Sequence, residues 1–147
     1  MTTVAIISAI VALTLMWVVP FERKRRAALG VFWSRDCLGA AWRKTFPDAS
    51  RDDMREFLYL LVDAFGFKRS DALRFAPTDT VMGIYRAAYP DPSAPDALEL
   101  ETWRRSLQRR FGLATLDGIP SNPSLGALFA KVRAEWPNKA LERSRYG

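Results

Sequence analysis

Without a histidine in 147 residues, this chain has no imidazole to act as a general base, to activate a serine or a thiol, or to bind zinc. A single cysteine, Cys37, excludes an intramolecular disulfide and fits a reducing compartment. Its setting between Asp36 and Leu38 suggests a small buried or interfacial hydrophobe rather than a reactive thiol. What is left for chemistry is carboxylates and cations. Asp52, Asp53, Asp96 and Glu99 stand where helices start, and a carboxylate there complements the helix dipole. Asp63, Asp79 and Glu101 have no base or nucleophile at a recognisable spacing. The expectation is therefore no catalytic residue, no metal site and no cofactor.

The cations are more informative. The net charge is +6, and Glu22 to Arg26 supplies four positive charges against one negative, half of that excess. Arg104, Arg105, Arg109 and Arg110 form a second group within PDALELETWRRSLQRRFGL, Pro95 to Leu113. No helix-turn-helix or aromatic platform accompanies either group, so nucleic acid is not expected as a partner. A protein partner or anionic lipid headgroups remain the candidates for the arginines.

The elements that must carry these groups begin with an apolar run. Val4 to Val19 is uncharged, with Ser8 and Thr14 its only polar side chains. From Thr2 to Phe21 it reaches about 20 residues, roughly 30 Å of helix and the thickness of a bilayer's hydrocarbon core. Trp17 and Phe21 suit the headgroup interface, and Pro20 is expected to stop the helix. No cation precedes the run, whereas Arg23, Lys24, Arg25 and Arg26 follow it. That order predicts a retained single-pass anchor in the cell inner membrane, N-terminus outside, with the remainder cytoplasmic.

Residues 22–47 read as a basic juxtamembrane stalk or amphipathic segment. Trp33, Trp42 and Phe46 with Arg35, Arg43 and Lys44 suit a membrane surface, a stalk or a neighbouring subunit. Residues 48–136 read as an all-α domain. Ser50 and Asp53 open a helix with Met54, Phe57, Leu58, Leu61 and Phe65 on one face, stopped by Gly66. A weaker helix is expected from Thr80 to Tyr89, with Val81, Ile84, Tyr85 and Ala88 inward. The arginine-bearing helix, capped by Asp96 and closed by Gly112, buries Leu100, Trp103, Leu107 and Phe111. Pro123 and Ser124 introduce the last helix, with Leu125, Leu128, Phe129, Val132 and Trp136 inward and Pro137 as its end. Residues 137–147 form a polar tail.

DALELETWRRSLQRRFG resembles the second helix of acyl carrier proteins, which opens Asp-Ser-Leu and continues through apolar positions to a Phe. MREFLYLLVDAFGF resembles that family's first helix and SLGALFAKV its last, so the resemblance spans roughly residues 50–136. It implies an acyl-carrier-like helical bundle. Ala97 occupies the position of the serine that carries phosphopantetheine and has no oxygen to form the phosphodiester. Ser93 lies outside the motif, in a proline-rich loop. Family members present an acidic second helix to basic partners, and here arginines reverse that sign. Residues 77–95 are also longer than the corresponding family connection, which leaves room for an extra helix. The expected function is a non-enzymatic interaction module on a membrane anchor. The alternative is a small accessory or assembly subunit of a membrane complex, bound mainly through its transmembrane helix.

Overall fold

A computed structural model describes residues 2–90, 98–112 and 122–146, with side chains described except at 2–5, 9, 11, 15, 17 and 136–146. Among these residues there is no strand. The order is α1 (Thr2–Trp33), α2 (Gly39–Thr45), α3 (Arg51–Ala64), a 3-10 turn (Arg69–Arg74), α4 (Val81–Ala88), α5 (Leu98–Phe111) and α6 (Leu125–Tyr146). The all-α reading holds.

Several helix ends follow from local chemistry. The Ser50 hydroxyl accepts a hydrogen bond from the Asp53 N–H at 3.0 Å and starts α3. At the other end of α3, Gly66 takes φ +66°, and the N–H groups of Gly66 and Phe67 bond the carbonyls of Asp63 and Val62. Gly112, at φ +70°, closes α5 with its N–H donating to the Gln108 carbonyl at 2.8 Å. Thr80 caps α4 by accepting from the Gly83 N–H at 3.1 Å, and Ser124 does the same for α6 through Ala127 at 3.2 Å. The starts of α4 and α6 are also joined to each other. Val81 N–H donates to the Pro123 carbonyl and Leu125 N–H to the Asp79 carbonyl, at 3.2 and 2.8 Å.

Two prolines do not end helices. α1 passes through Pro20 and continues to Trp33, and α6 passes through Pro137 to Tyr146. A proline removes one backbone donor, so Pro20 leaves the Met16 carbonyl without its usual helical partner while the flanking turns continue the helix. Beyond Pro20, Leu29 and Phe32 are buried, which keeps the rest of α1 docked on α4 and the 3-10 turn.

The segment expected to be a stalk belongs to the core. Trp42 is fully buried on α2 and packs against Phe46, Phe57 and Phe129 at ring separations of 5.9, 6.2 and 5.7 Å. Its indole N–H donates to the Phe75 carbonyl at 2.8 Å. Met54, Phe57, Leu58 and Leu61 from α3, Ile84 and Ala88 from α4, Trp103, Leu107 and Phe111 from α5, and Leu125, Leu128, Phe129 and Val132 from α6 complete it. Leu100 and Tyr85 are only half-buried, and the Trp136 side chain lies outside the described residues. Cys37, expected to be a buried or interfacial hydrophobe, is exposed, which removes the buried alternative. It falls in the short link between α1 and α2, beside Leu38, whose N–H donates to the Leu73 carbonyl.

Candidate functional site: the base of the bundle and the arginine helix

The apolar half of α1 stands clear of the bundle. Ile6, Ile7, Ile10, Leu13, Met16, Val18 and Val19 are all exposed. A stretch from Ile6 to Trp33 includes a window long and apolar enough to cross a membrane, and none of that window is buried inside the protein. Such an apolar column in water would drive association, so it needs a cover. Thr14, polar within it, donates its hydroxyl to the Ile10 carbonyl at 2.8 Å and so presents no unpaired donor to an apolar surrounding.

At the foot of this column lies the basic run. Arg23, Lys24 and Arg26 are exposed, while Phe21 and Arg25 are half-buried; the Trp17 side chain lies outside the described residues. Arg25 pairs with Glu22 at 3.5 Å, yet its Nε is shut off from solvent with no hydrogen-bond partner. A cavity of about 290 Å³ opens here, with Arg25, Arg26 and Leu29 on one wall and Gly66, Phe67 and Lys68 on the other. Sequence reasoning found the basic run but not the cavity, because its second wall is built by residues some forty positions away in the chain.

The link after α1 is held by charge. Arg35 pairs with Asp79 at 2.6 Å, and the same carboxylate oxygen accepts the Ala76 N–H at 2.6 Å. Arg74 returns the tie by donating to the carbonyls of Trp33 and Arg35. Asp79, one of the carboxylates considered for chemistry, is thus engaged in fixing α1 to the bundle. Asp63 is held below the usual carboxylate range by a two-pronged hydrogen bond from Arg69. Asp52 and Asp53 occupy the first turn of α3, as expected.

The four arginines of α5 do not form one patch. On a helix advancing about 100° per residue, Arg105 and Arg109 face away from the buried stripe, while Arg104 and Arg110 flank it on opposite sides. Arg104 and Arg105 share Glu101, at 3.2 and 3.0 Å. Arg110 reaches α3 and grips both carboxylate oxygens of Glu56, the outer contact being 2.9 Å. All four are exposed. Asp96, Ala97 and Ser93, the expected cap and attachment positions, lie outside the described residues.

Glu99, expected at a helix start, accepts the Tyr89 hydroxyl at 2.6 Å and ties α5 to the end of α4. Burial first, and then this bond, push the Tyr89 phenol up to about 12. The folded state therefore holds the Tyr89 proton more tightly than the unfolded chain, whose phenol titrates near 10. The resulting stability is present below pH 10 and disappears as pH rises through about 12. Tyrosinate absorbance should show a late step that Tyr89→Phe lacks, and the variant should lose helicity less steeply over that window. A wild-type titration completed near pH 10 would contradict the contact.

No protein-family model matches this chain, and no curated protein or solved structure matches it.

Proposed function

We propose that the chain is a non-enzymatic, single-pass membrane protein that presents a degenerate acyl-carrier-like bundle to a protein partner, without carrier chemistry. One observation carries this reading: among the described residues, seven large apolar side chains stand exposed on the first half of a helix whose other end is part of the bundle core. A bilayer covers the apolar half, and the cation-after-apolar order orients it with the N-terminus outside the inner membrane and the bundle in the cytoplasm. The acyl-carrier resemblance is supported by three amphipathic helices, α3, α5 and α6, in that family's order, with Trp103, Leu107 and Phe111 buried on α5. Ala97 then leaves the bundle as a binding surface without an attachment point.

The outward-facing cations of α5 are the surface offered to an acidic partner. Arg104 and Arg105 both lean on Glu101, so reversing them to Glu would set like charges against it and weaken the helix itself. Arg105→Gln with Arg109→Gln removes the two outward-facing charges and leaves Arg104 on Glu101. Purified from native membranes in mild detergent at low salt, this variant should recover its partners in clearly lower yield than wild type. The difference should shrink as salt rises, because exposed charges are screened over roughly 8–10 Å. Equal yields at low salt would make the arginines a solvated face.

The accessory-subunit reading draws on the same exposed column, since Ile6, Ile10 and Leu13 are equally suited to lie against another membrane helix. Removing the residues before Ala27 separates the two: it abolishes association in the accessory reading and spares it in the module reading.

A further inference from the structure

We propose that the cavity at the foot of α1 is a binding site for the phosphate of an anionic phospholipid headgroup; the proposal rests on the membrane-anchored reading above. Its position is the first argument. The apolar run ends at Phe21, and a helix rises about 1.5 Å per residue, which puts Glu22 to Arg26 within about 8 Å of that boundary along the axis. The headgroup layer occupies roughly 5–8 Å on each side of the hydrocarbon core, so the Glu22, Arg25 and Arg26 edge of the cavity stands at headgroup depth.

Charge is the second argument. Arg25, Arg26 and Lys68 line the cavity with Glu22 and Asp71. The two carboxylates are already engaged, Glu22 with Arg25 and Asp71 with Arg74. Among the described residues Arg26 and Lys68 form no ion pair, and the Arg25 Nε is buried with no acceptor. An anion in the cavity would meet Arg26 and Lys68, cations with no ion pair of their own, and guanidinium and ammonium groups bind phosphate through charge-assisted hydrogen bonds.

The third argument is shape and lining. The cavity also has apolar walls, with Leu29, Trp33 and Phe67, so it suits a headgroup still attached to its glycerol better than a fully hydrated free anion. The two walls come from α1 and from the turn after α3, which makes the site a property of the folded bundle rather than of the basic run alone.

The experiment uses the full chain in dodecylmaltoside micelles doped with phosphatidylglycerol or phosphatidylcholine, reading retained lipid by native mass spectrometry. Lys68→Glu and Lys24→Glu change charge equally, but only Lys68 lines the cavity. Lys68 is exposed, and an unchanged melting curve confirms that its variant folds. Wild type should prefer phosphatidylglycerol by about tenfold, the preference should fall about tenfold in Lys68→Glu, and it should fall no more than about threefold in Lys24→Glu, as expected for one lost charge-assisted phosphate contact against one lost diffuse charge. Equal losses in the two variants would overturn the site in favour of diffuse attraction by the basic run. Displacement of the lipid by an equal concentration of inorganic phosphate would overturn it in favour of a free-anion site. A wild type that enters micelles without lipid preference overturns the site alone, whereas one that stays out of micelles overturns the anchor as well.

Discussion

Trp42→Ala should cost the bundle about 3–5 kcal/mol, the range for truncating a fully buried large aromatic. Against a total of about 5–15 kcal/mol for an ordinary domain, that leaves the protein at the edge of folding. The reason is where Trp42 sits. It is completely shielded from solvent, touches Phe46, Phe57 and Phe129, and bonds the Phe75 carbonyl through its indole N–H. The alanine would leave a cavity between α2, α3 and α6 and a buried carbonyl without its donor. Trp42→Phe isolates the second effect and should cost less, since most of the ring packing survives. Chemical denaturation in detergent, followed by circular dichroism, measures both. A loss below about 1 kcal/mol for the alanine would detach α2 from the core and return residues 27–46 to a stalk or a membrane-surface helix.

The second large effect is on insertion. An arginine at the centre of a membrane-spanning helix costs about 2.5–3.5 kcal/mol on insertion scales, so Ile10→Arg with Leu13→Arg should cost about 5–7 kcal/mol. Most of the double variant should appear in the soluble fraction after alkaline extraction, where wild type remains with the membrane. Both positions are more than half exposed and away from the bundle, so its melting should not change. A double variant that still resists extraction would mean that the apolar column is covered by something other than lipid.

The parts of this architecture that were legible in the sequence are those with a local cause. Ser50, Gly66 and Gly112 act within a few residues of themselves, and Trp103, Leu107 and Phe111 recur at the helical period, so cap, stop and buried face are all readable from short windows. Residues 27–46 were ambiguous for a physical reason. An amphipathic segment with aromatics on one side and cations on the other looks the same whether its apolar side meets lipid or a protein core. Only Phe57, Phe75 and Phe129, distant in the chain, decide the matter for Trp42. Pro20 and Pro137 were read by their intrinsic preference, which a long helix overrides.

The arginine helix shows the same division. That its cations are exposed was evident from the pattern. That Arg110 turns to Glu56, fifty-four residues away, was not. The cavity at the base of α1 was also hidden, because Arg25 and Lys68 meet only once the turn after α3 folds back on α1.

Cys37 provides the most direct test of the central claim that α1 spans the membrane and leaves the bundle on the cytoplasmic side. It is the only cysteine in the chain, it is exposed, and it lies in the link between α1 and α2, beyond the apolar run. A membrane-impermeant maleimide should therefore fail to label the protein on intact spheroplasts and should label it on inverted membrane vesicles, with no substitution needed. Labelling on intact spheroplasts and protection in inverted vesicles would place the bundle on the outer side and contradict the account.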